Sequence, residues 1–64
     1  MSLDAELGSL SSTLDGLVER VASLAASTDG HPTDDVSVAL YDVERSLAAA
    51  SRRLARVLRE LERR

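Results

Sequence analysis

Sixty-four residues with eleven acids, eight arginines and no cysteine make one small domain of formal charge −3. Without cysteine there are no disulfides, no thiolate zinc sites and no thiol catalysis. A chain this short buries only about 60% of the surface its unfolded form exposes, so association with a partner is the expected source of stability.

Every basic residue is arginine, and Lys, Asn, Gln, Ile, Phe and Trp are absent. That usage reflects a GC-rich bacterial genome, so the choice of arginine over lysine carries little functional meaning. The opening MSLDAELGSL has no positive segment ahead of an unbroken apolar core and does not read as a secretory signal. No apolar run approaches the roughly 18 residues of a spanning helix. The expected compartment is the cytoplasm, with no membrane partner.

The first predicted element is a helix over about residues 2–27. Leu3, Leu7, Leu10, Leu14, Leu17, Val21 and Leu24 alternate spacings of four and three, the pattern of a heptad seam and one that strands of period two cannot produce. Gly8, Gly16 and the run GSLSST weaken this helix, because glycine costs about 1 kcal/mol against alanine and serine competes for backbone hydrogen bonds.

A hinge follows over about 28–33. Gly30 suits a left-handed C-terminal cap, Pro32 cannot continue a helix, and Thr33 is a good N-cap. Asp34 and Asp35 then fall in the first turn of the next helix, where carboxylates complement the dipole. His31 is the lone histidine, set among Asp29, Asp34 and Asp35. Imidazole and carboxylates are ordinary metal ligands, but the spacing matches no helical motif and each acid has a turn or capping role, so no metal is expected.

The second predicted helix covers about 34–63 and is rich in Ala, Leu and Arg, strong helix formers. Its seam runs through Val36, Leu40, Val43, Leu47, Ala50, Leu54, Val57 and Leu61. A short hinge folds the two helices into an antiparallel hairpin. The expected register pairs Leu24 with Val36, Leu17 with Val43, Leu14 with Leu47 and Leu7 with Leu54, leaving Leu61 beyond the start of the first helix and in need of cover. Small residues flank both seams: Ser11, Thr13, Ala25 and Ser27 on the first, Ser37, Ala39, Ser46 and Ser51 on the second.

The fold expected is therefore all-α: residues 1–64 form a single antiparallel two-helix hairpin whose heptad seams associate into a four-helix bundle. A lone hairpin covers each seam from one side, whereas a second closes the core. Each leucine fully withdrawn from water contributes roughly 1.5 to 3 kcal/mol, so leaving half the seam wet is costly. Residues 3, 7, 10, 14, 17, 21, 24, 36, 40, 43, 47, 54, 57 and 61 are thus candidate interface positions.

Charge is unevenly distributed. Residues 1–35 hold seven acids and one arginine, net −6, and residues 36–64 hold seven arginines and four acids, net +3. Arg52, Arg56, Arg59 and Arg63 form one stripe opposite the seam, which suits phosphate contact. The same stripe also suits the C-terminal end of a helix dipole, and Glu60 and Glu62 lie within pairing distance along the helix. Net negative charge and the lack of stacking aromatics argue against nucleic acid. Tyr41, the sole aromatic, is a candidate interface anchor, and with Val38 and Leu58 it suggests that the second helix touches more than the first.

Catalysis is not expected. One hinge histidine flanked by acids cannot assemble a nucleophile, base and orienting group, and the three glycines are too dispersed for a phosphate loop. No cofactor or small-molecule substrate is implied. The sequence points to a non-enzymatic protein–protein interaction module: a self-associating hairpin, or a small structural, regulatory or accessory subunit of a larger complex. A small nucleic-acid-binding regulator using the arginine stripe is the alternative.

Overall fold

The computed structural model describes residues 2–28 and 34–63. Helix α1 spans Leu3–Thr28 and helix α2 spans Asp34–Glu62, and the two pack against each other as a hairpin. Expectations resting on Asp29, Gly30, His31, Pro32, Thr33 and Arg64, and on the Asp34 side chain, lie outside the described residues.

Ser2 starts α1. Its hydroxyl accepts from the Ala5 N–H at 3.2 Å and its carbonyl accepts from the Glu6 N–H at 3.2 Å, so one residue satisfies two otherwise orphaned donors. Asp4 and Glu6 follow in the first turn, where negative charge is favoured. Near the other end, the Ser27 hydroxyl donates to the Leu24 carbonyl at 2.8 Å. Gly8 and Gly16 do not break the helix, and no neighbour crowds the place where a Cβ would sit on either.

Helix α2 ends with Arg59 in its last turn, and the Arg63 N–H bonds the Arg59 carbonyl at 3.2 Å just beyond it. The molecule is a rod of 51 × 16 × 11 Å with a radius of gyration of 14.9 Å. A compact domain of this length has a radius near 11 Å, and the thinnest dimension is that of a single helix. The hairpin is therefore one layer, where folded domains ordinarily have two.

The core is correspondingly slight. Among the described residues only Ala25 and Ser37 are buried, and no large side chain is fully enclosed. Both are small and lie toward the hinge end, where their lack of bulk allows the backbones close approach. Toward the middle, the Ser51 hydroxyl donates to the Asp15 carboxylate across the hairpin.

These contacts set α2 about one turn further along α1 than the expected register. Counting along the helices from the Ser51–Asp15 bond brings Leu17 about level with Leu47 and Leu10 about level with Leu54, in place of Leu17 with Val43 and Leu7 with Leu54. Leu61, expected to project past the start of the first helix, is half-buried.

Candidate interaction surface

Each heptad ladder is split lengthwise by the fold. On α1, Leu7, Leu14 and Val21 are half-buried, together with Ser11 and Val18 on one flank, where Ala25 is buried. The other half of the ladder, Leu3, Leu10, Leu17 and Leu24, is exposed. On α2, Leu40, Leu47, Leu54 and Leu61 are half-buried with Glu44, Ser51 and Leu58, Ser37 in the same file is buried, and Val36, Val43, Ala50 and Val57 are exposed. The hairpin thus uses one apolar file and one mixed flank from each helix, with small residues at Ser11, Ala25, Ser37 and Ser51.

The two exposed files lie on the same side of the molecule. On both helices the exposed file is reached from the half-buried ladder file by the same rotation, three residues forward or four back. Because α2 runs opposite to α1, equal rotations along the two chains turn both files toward one face. That face carries Leu10 and Leu24 at 57% exposure beside Val36 at 50% and Val57 at 47%. A contiguous apolar face of this kind is a candidate interaction surface, where scattered exposed leucines would not be.

The area has the same implication. The chain exposes 4893 Å², whereas a folded monomer of 6.9 kDa exposes about 4000 Å². The excess, about 900 Å², is close to the roughly 800 Å² each partner contributes to a standard protein–protein interface.

The small residues divide in the same manner as the ladders. Ser11, Ala25, Ser37 and Ser51 flank the contact between α1 and α2, whereas Thr13, Ser27, Ala39 and Ser46 are exposed and flank the open apolar face. Close approach is therefore provided for on two sides of each helix, and the hairpin takes up one.

Leu58, which the sequence suggested would reach beyond the hairpin, lies in the file facing α1 and is half-buried. Val38 stays exposed at 67% and Tyr41 at 38%. Tyr41 lies on the side opposite the open leucine file, where it lines a shallow depression with Glu44, Arg45 and Ala48. Glu44 is the inner-file residue that sequence reading missed: its heptad spacing from Ser37 and Ser51 was the available signal, hidden by its charge.

Arg52, Arg56, Arg59 and Arg63 are exposed on the back of α2, away from both the hairpin contact and the open face. Arg63 pairs with Glu60 at 3.5 Å and Arg45 with Asp42 at 3.9 Å, each three residues apart and well solvated. Arg52, Arg53, Arg56 and Arg59 have no carboxylate within ion-pair distance among the described residues. Such surface pairs contribute at most about 1 kcal/mol.

Among the described residues no three Asp, Glu or His side chains come together to hold a metal ion. No described helix is long and apolar enough to cross a membrane. No family model, curated protein or solved structure matches the chain.

Proposed function

We propose that this protein is a non-enzymatic interaction module that self-associates through the open face of Leu3, Leu10, Leu17, Leu24, Val36, Val43 and Val57, two hairpins closing into a four-helix bundle. The observation that carries the reading is angular. In each helix the midline of the whole ladder is turned by half a heptad step to either side of its two files, so it lies about 50° from the line joining α1 to α2. In a square bundle the centre lies about 45° from the line joining neighbouring helices. The two angles agree, which supports the reading that the hairpin is half of such a bundle. Such a module serves as a small structural, regulatory or accessory subunit.

Thermal unfolding at several protein concentrations tests this reading. A self-associating hairpin has a Tm that rises with concentration, because assembly binds only the folded form. A Tm independent of concentration over a hundredfold range contradicts it.

The free guanidinium groups of Arg52, Arg53, Arg56 and Arg59 support a second reading, a nucleic-acid-binding regulator. It requires that the chain shift DNA or RNA at about 50 mM salt, and that affinity fall steeply as salt rises. Absence of binding at that salt removes it.

A further inference from the structure

We infer that the occupant of the open apolar face is a second copy of this chain, and that it docks with α1 against α1 and α2 against α2, each pair antiparallel. The inference rests on the self-association proposed above and adds the orientation of the partner. A two-fold axis can close two such hairpins in two ways. Lying along the helices, it sets α1 on the second copy's α2. Lying across them, it sets like helices together. The residues that edge the open face distinguish the two.

Four of those edge residues are charged: Glu6 and Arg20 on α1, Arg53 and Glu60 on α2. With the axis along the helices, Glu6 comes level with Glu60 of the second copy, and symmetry repeats this like-charge contact. With the axis across the helices, each charged side chain meets a small one. Glu6 lies over Ser27, Arg20 over Thr13, Arg53 over Ser46 and Glu60 over Ala39. Long over small fills the edge without repulsion, and the charged heads reach solvent.

Core volume favours the same choice. The axis along the helices stacks a layer of four leucines, Leu17 and Leu47 with their copies, next to a layer of four valines from Val21 and Val43. The axis across the helices places Leu10, Leu54, Val21 and Val43 in one layer, so that large and small side chains alternate and layer volumes even out. On the outer surface it also brings Arg56 level with the second copy's Asp42, and Arg63 level with its Asp35, setting the basic end of one α2 beside the acidic start of the other.

The chain has no cysteine, so single spin labels can be introduced cleanly at Thr13→Cys and Ser27→Cys, both exposed in the hairpin. Like-with-like docking places the two Thr13 labels within about 20 Å of each other across the axis. The two Ser27 labels are then separated by about 35 Å or more, the rise over 23 residues of helix. Dipolar spectroscopy showing this short and long pair supports the inference. Two short distances overturn the orientation while leaving self-association standing, because the axis then runs along the helices. No dipolar coupling at either site, with a monomer's mass, overturns both.

Discussion

Leu14 and Leu17, three residues apart on α1, have different environments: Leu14 is half-buried against α2, whereas Leu17 is 41% exposed on the open face. The contrast sets up a direct comparison. In an isolated hairpin, Leu17→Ala is a surface change worth no more than about 0.5 kcal/mol. In the proposed bundle it leaves a cavity beside the two-fold axis and costs about 2 to 3 kcal/mol per chain. Chemical denaturation of Leu17→Ala beside Leu14→Ala checks this, with losses of similar size expected.

Introducing charge on the same file acts on assembly more strongly than on secondary structure. Leu10→Glu buries an unpaired carboxylate in the bundle core, which converts the assembly to monomers. Leu58→Glu instead disturbs the packing of α2 on α1 and lowers helicity itself. Circular dichroism together with sedimentation velocity separates the two outcomes.

The Ser51–Asp15 hydrogen bond joins the helices on the side away from the open face. Ser51→Ala and Asp15→Ala are each expected to cost about 1 kcal/mol. In a double-mutant cycle the double variant is expected to lose less than the sum of the single effects, because both substitutions remove one shared contact. Neither is expected to change the oligomeric state.

The sequence makes the helices and their ladders legible, because uninterrupted spacings of four and three over seven or eight positions have one structural solution. It left open which half of each ladder meets the other helix. Periodicity fixes the midline of an apolar stripe, and a hairpin can be built on either side of it. The choice rests on the small flanks, where Ala25 and Ser37 permit close approach, and these read beforehand as symmetric with Ser27 and Ala39. Matching leucine layers by number takes no account of the Asp15–Ser51 contact, which lies about a turn from where that register would set it. Glu44 escaped notice because a carboxylate does not register as an inner-file residue, although its methylene stem can pack while the head stays wet.

Gly16 lies on the back of α1 with nothing within 4 Å of the place a Cβ would occupy. Gly16→Ala therefore raises stability by about 0.5 to 1 kcal/mol, through higher helix propensity and a less flexible unfolded chain. The expected readout is a higher denaturation midpoint with unchanged mass. A loss of stability would mean that this part of α1 is covered in the assembled protein.

The central claim is that the open leucine and valine files are covered by a second hairpin. Light scattering coupled to size exclusion at tens of micromolar tests it most directly. The predicted result is a helical species of twice the chain mass of 6.9 kDa that falls to the single-chain mass in Leu10→Glu. A cooperatively folded species of 6.9 kDa at that concentration, with the open leucine and valine files left in water, would contradict it.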